Sequence, residues 1–316
     1  TVPLGFVPDI ANALLRNELK PERIIIFDDL ERSALDLKEV LGAINSYVEH
    51  RDFRVIVIAH DDEKLLGEEF RIVKEKTFGQ TILVEPQTGS AFERFLGRIE
   101  REKARRFVAA HRTQIESIFL QSKVKSLRIL KHAIEDIVRL HGTLTERHQD
   151  NAEAMVELVQ TFAAFCIEVR SGNLVENDLR NRRGVLMGHL MRGQIKGGEQ
   201  RKSPPLMVAN EKYSSIDLEN GILNDDVLVA TLIEGRFPVQ KIRESIDNSH
   251  YFIVPGDVPP WKVVIHFDDL DDRTVEIARE RMEQQFANRE VTDSGEMLHI
   301  FCLRMMMAEN GIIDRS

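Results

Sequence analysis

Two short, unbroken apolar runs that end on acids restrict the fold of this chain more than any other feature. Residues 23–27 (RIIIF) lead into Asp28-Asp29, and residues 54–59 (RVIVIA) lead into His60-Asp61-Asp62. β-Branched runs without polar alternation suit strands covered on both faces of a parallel sheet. Between the runs, Leu37, Val40, Leu41, Ile44 and Val48 recur at helical spacing until His50-Arg51-Asp52 breaks the pattern. The order strand, helix, strand gives a parallel crossover, right-handed by the general rule. A third strand is expected at residues 81–84, closed by Pro86.

Beyond residue 90 the period changes. Residues 91–170 show long helical stretches with few Gly or Pro, whereas 171–215 crowd Gly, Asn, Arg and Lys, and 193–205 have no apolar period. Helical patterns resume at 225–246, 274–286 and 295–309, separated by a Pro-rich turn at 255–260. Four regions are therefore expected: an α/β core at 1–90, a helical module at 91–170, a linker or irregular insertion at 171–215, and a helical C-terminal domain at 216–316. A chain of 316 residues has the length for two cores.

The acids carry the chemistry. In an open α/β sheet, ligands bind at the carboxyl ends of the strands, where Asp28 sits. In an NTPase the first acid there holds Mg²⁺, usually through water, and the next polarises the attacking water. Asp28 and Asp29 fit those roles, as metal-site and catalytic acid. His60, at the end of the second run, fits a sensor contacting phosphate or water, with Asp61 beside it as a further nucleotide contact. A plainer reading of the same residues is a turn whose acids cap the next helix, with His60 an ordinary strand-end residue. Arg32 can reach nucleotide in a neighbouring subunit, or simply pair with Glu31 or Glu22.

Four pieces in order, RIIIFDDLERS, INSYVEH, RVIVIAHDDEKL and IVKEKTFGQTILVEP, resemble the KAP-type P-loop NTPases, relatives of AAA+ and STAND ATPases that occur largely in bacterial defence and membrane-associated systems. The close match covers about a fifth of the chain. The resemblance implies a partial α/β P-loop NTPase core with a parallel sheet, followed by a predominantly α-helical lid and C-terminal region. It implies that Asp28 binds Mg²⁺, that Asp29 is the catalytic acid, and that His60 occupies a sensor position where relatives often have Asn. A His there would make activity pH-sensitive. Arg128, in SLRILKHAIED, resembles the lid arginine that reaches back to nucleotide; it also reads as a solvated helix face. Lys76 lies in the same family segment, without an assigned role.

No GxxxxGK[ST] loop occurs. The string from Gly197 to Ser203 has the wrong spacing and runs into Pro204, which cannot open the required helix. The phosphate loop is therefore expected upstream of Thr1. A second acid-ended run, VVIHFDDLDDR at 263–273, is followed by a charged helical pattern rather than a strand, so its acids read as helix caps and the run as structural, with Trp261 as an anchor. Basic residues between Arg94 and Arg112 alternate with Glu100 and Glu102 and read as a charged helix face. His299, Phe301 and Met305 to Met307 read as helix core.

The net charge of −9 argues against bulk binding to nucleic acid or anionic membrane, and no apolar run reaches the roughly 20 residues of a membrane span. With only Cys166 and Cys302, neither a disulfide framework nor a Cys-based metal site is expected, and the compartment reads as cytoplasmic. The function that the family resemblance implies is an ATP-hydrolysing, Mg²⁺-dependent, homo-oligomeric switch in antiphage defence, acting through an effector protein encoded alongside. The alternative is a nonhydrolytic scaffold whose helices bind a partner protein.

Overall fold

The computed structural model describes residues 23–33, 36–49, 53–60, 78–180, 182, 184–185, 203–218, 222–267 and 270–313. The chain divides into two compact units, residues 1–84 and 85–316.

In the first unit, β1 (Ile24–Phe27) and β2 (Arg54–Val57) pair in parallel, with Ile24 opposite Arg54 and Phe27 opposite Val57. A 3₁₀ turn, Leu30–Arg32, leaves β1, and α1 (Leu37–Glu49) makes the crossover. Helix α1 contributes Leu41 and Ile44 to a small core with Leu30, against which Phe27, Val55 and Val57 pack. This is the period-2 consequence of a strand: alternate side chains face the helix and the others face away.

Those others correct the expectation of strands covered on both faces. Ile24, Ile26, Ile56 and Ile58 are between 47% and 58% exposed. Among the described residues of this unit no element lies over that side, and these cover the apolar runs on one face only. The expected third strand is also absent: residues 81–84 form no ladder, and Ile82, Leu83 and Val84 stand at least 73% exposed. β-Branched composition favours an extended backbone, but a strand also needs a neighbour to pair with, and among the described residues only β1 and β2 are paired as strands.

The second unit is helical. Its first elements are α2 (Thr88–Leu96), α3 (Glu102–Ala110), α4 (Arg112–Gln121), α5 (Leu127–His141), α6 (Glu146–Asp150) and α7 (Ala152–Arg170). Helix α7 is apolar almost all round and is the core helix; Leu158, Phe162, Phe165 and Ile167 are fully buried. The apolar stripe of α5, Leu130, Ile134, Ile137 and Leu140, faces it. Asn151 starts α7 by accepting the Ala154 N–H at 3.0 Å.

Within 171–215 the described stretches are anchored to this core. Helix α8 (Glu176–Leu179) buries Leu179, α9 (Pro205–Asn210) buries Leu206 and Ala209, and Leu174 and Tyr213 are buried beside them. Two ionic clusters tie them down. Glu168, fully buried, accepts from Tyr213 Oη at 2.6 Å, Lys212 Nζ at 2.7 Å and Asn173 Nδ2 at 2.8 Å. Arg182, 4% exposed, bonds Asp225 at 2.6 Å and the carbonyls of Leu218 and Leu223 at 2.8 and 2.6 Å.

Helix α10 (Asp225–Leu228) runs into a π-helical turn, Val229–Ile233, and α11 (Val239–Asp247) follows. A second, smaller core joins α12 (Pro260–Val264), α13 (Asp272–Ala287) and α14 (Ser294–Glu309). Val263 and Val264 close α12 rather than a strand, and Asp271 caps α13 by accepting the Thr274 N–H at 3.0 Å. Asp268 and Asp269 lie outside the described residues. Trp261 stacks on His299, with ring centroids 4.4 Å apart. The expectation that 299–307 is helix core is corrected: Met307 is buried with Ile300 and Leu303, whereas Phe301, Met305 and Met306 are exposed. Helix α14 is apolar on two sides and only one of them is covered among the described residues. No described helix is long and apolar enough to cross a membrane.

Candidate functional site

The parallel register decides what lies at the carboxyl ends of the strands. Past the last paired residues, the Ile58 N–H donates to Phe27 O at 2.8 Å and the Leu30 N–H to Ile58 O at 3.4 Å, so the two chains leave the sheet side by side. Asp28 and Asp29 therefore emerge at the tip of β1, and His60 at the tip of β2. All three are exposed.

Asp29 adopts left-handed backbone angles, φ 55° and ψ 48°. Among non-glycine residues Asp and Asn tolerate this region best, at a cost of about 1 kcal/mol or more. Its N–H donates to Asp28 Oδ1 at 2.9 Å, and its carboxylate lies 3.7 Å from the Arg32 guanidinium. That pair is more than half exposed, so screening by water leaves it little energy. Among the described residues Arg32 thus takes Asp29 as its ion-pair partner rather than Glu31, and Glu22, the other expected partner, lies outside them.

Glu31 is the residue that sequence reasoning missed. Its Oε2 accepts the backbone N–H of His60 at 3.1 Å, joining the tips of the two strands. This bond, followed by Glu31's own backbone N–H, holds its carboxyl below the usual range despite some desolvation. Spacing alone does not reveal the bridge, because it depends on the 3₁₀ turn that aims Glu31 sideways toward β2.

Asp61 and Lys76 lie outside the described residues. Arg128 is the second residue of α5, exposed and without an ion pair among the described residues, and it belongs to the second unit. No described group of three or more His, Cys, Asp or Glu could hold a metal ion by itself. Mg²⁺ asks less of a protein than that: one or two carboxylates, with water and substrate phosphate completing its shell. The exposed oxygens of Asp28 and Asp29 are the hard donors it takes. They fit the metal half of a nucleotide site, whereas the sequence contains no glycine-rich cradle of the GxxxxGK[ST] type for the phosphates.

Comparison with protein-family models, curated proteins and solved structures finds no match to this chain. The functional reading therefore rests on the strand tips and their geometry.

Proposed function

We propose that this chain is part of an ATP-binding and ATP-hydrolysing switch of the P-loop NTPase type, acting as a homo-oligomer in antiphage defence with an effector protein. The observation that carries the reading is that the pair of acids following β1 and, three residues past the adjacent parallel strand, His60 leave the sheet at the same edge, where Glu31 bonds the His60 N–H. In that arrangement Asp28 would hold Mg²⁺, usually through water, and Asp29 would orient and polarise the attacking water. Bound Mg²⁺ would neutralise charge developing on the phosphate oxygens. Exposed Arg32, held among the described residues by a screened ion pair, is able to leave Asp29 for a phosphate.

The competing reading, a nonhydrolytic scaffold, draws support from the turn itself. The Asp28 contact to the Asp29 N–H and the Asp29–Arg32 pair form a self-contained loop closure of the kind that ends many strands. ATP turnover by the natural protein separates the two. Asp29→Asn is expected to abolish hydrolysis while nucleotide still binds, and Asp28→Asn to weaken Mg²⁺-dependent binding. Wild-type turnover in Asp29→Asn, or no nucleotide affinity at all, overturns the ATPase reading.

A further inference from the structure

The second unit contains a cavity of about 620 Å³ between the segment that follows α2, one side of α5, and the end of α7. Five cationic side chains line it, Arg98, Arg101, Lys131, Arg139 and Arg170, against three carboxylates, Glu100, Glu135 and Asp136, leaving two positive charges with His132 neutral. In a chain of net charge −9 such a cleft opposes the overall balance.

The carboxylates do not use up this charge. Asp136, 4% exposed, is bound by two guanidinia, Arg170 at 2.5 Å and Arg139 at 3.4 Å. Arg139 is also braced by the Gly235 carbonyl at 2.5 Å and lies over the Phe237 ring at 4.1 Å. Glu135 contacts both Lys131, at 3.4 Å, and His132, at 2.9 Å. Arg98 and Arg101 form no ion pair among the described residues, and they sit between helices rather than on the charged helix face expected for this stretch. The neighbouring Arg105 and Arg106 do behave as that face, both bound to Glu102. Phe95, Ile99, Ile134 and Val138 add apolar wall. The volume lies in the range of small-molecule sites.

We propose that this cavity binds a small organic phosphate carrying about two negative charges, with Arg98 and Arg101 as the guanidinia that take its oxygens. Each planar guanidinium can take two oxygens, and a phosphate monoester, with three terminal oxygens and about two negative charges, can accept from two guanidinia where a carboxylate has only two oxygens and one charge to offer. The apolar wall takes the organic body. No lining residue belongs to the strand tips, so this binding does not depend on Asp28, Asp29 or His60.

The test is calorimetric titration of the whole chain with adenosine monophosphate and with inorganic phosphate, at low salt and in EDTA. Binding is expected, at least tenfold weaker in Arg98→Ser/Arg101→Ser and unchanged in Arg105→Ser/Arg106→Ser. Tighter binding of the monophosphate assigns the apolar wall to an organic body; equal or tighter binding of inorganic phosphate, whose charge is similar, overturns the organic ligand. Should the serine pair fail to fold, protection of Arg98 and Arg101 from phenylglyoxal by the monophosphate, read by mass spectrometry on the unaltered chain, decides the matter. No binding at millimolar ligand, wild-type affinity in the folded serine pair, or unprotected arginines overturns the proposal.

Discussion

Replacing Glu168 by Ala is expected to cost the helical unit about 3 kcal/mol, near the lower end of the range for breaking a buried ion pair. The magnitude follows from what the change leaves behind. Glu168 is fully buried in the last turns of α7, where a carboxylate also faces the unfavourable end of the helix dipole. Three donors hold it there. Without it the Tyr213 hydroxyl, on a side chain 4% exposed, has no acceptor, a loss of about 1–3 kcal/mol. The Lys212 ammonium loses its partner too, but its side chain is 24% exposed and can recover water, which trims the upper end of the range. Burial, then the hydrogen bond to Glu168, pushes the Tyr213 phenol far above its ordinary ionisation, which favours the protonated hydroxyl as the donor. Glu168→Gln keeps the shape and one acceptor oxygen, and should cost roughly half as much as Ala. Urea denaturation followed by far-ultraviolet circular dichroism, with equal slopes for all variants, measures these differences. A loss below about 1 kcal/mol for Glu168→Ala, or independent effects of Glu168→Ala and Tyr213→Phe in a double-mutant cycle, would refute the network as a stabilising unit.

The two cysteines are expected to separate by reactivity: burial pushes the Cys166 thiol well above its ordinary ionisation, while Cys302 is exposed on α14. Iodoacetamide on the native protein should modify Cys302 alone, and Cys166 only in denaturant; native labelling of Cys166 would contradict the buried placement of α7. The cap on α13 predicts a pH signature. Hydrogen bonds from Thr274 lower the Asp271 pKa in the folded state, so its stabilisation is present above its unfolded value, near pH 4, and fades as pH falls through the folded value. Asp271→Ala should therefore lower the melting temperature at pH 7 by an amount that shrinks as pH falls below about 4; a difference that stays constant from neutral to acid pH would count against the cap.

What could be read from the sequence divides along a physical line between local pattern and distant cover. The helices of 91–170 follow from spacing: Leu130, Ile134 and Ile137 fall on one side of α5 whatever lies beyond it. The apolar runs of β1 and β2 are equally local, but whether Ile26 and Ile56 are covered depends on elements that no run of five residues encodes, and they stand exposed. The second unit repeats the lesson. Residues 171–180 and 203–215 look like connection by composition, yet Glu168 and Arg182 fasten them to the core through side chains more than 30 residues apart in sequence. Arg98 and Arg101 read as an ordinary charged stretch because the sequence does not say that α2 has already ended and that Asp136 is satisfied from elsewhere.

The candidate site belongs to the legible part for one reason. Once two short strands pair in parallel with a single crossover, the segments that follow them must emerge at the same edge, so Asp28, next after β1, and His60, three residues past β2, leave the sheet at one end by topology rather than by any attraction between them. Glu31 then tightens an adjacency that the ladder has already imposed: its bond to the His60 N–H restrains the β2 tip relative to the acids of β1. A change at Glu31 should accordingly leave the strands paired and loosen only the residues beyond them, the level at which a nucleotide site would be tuned.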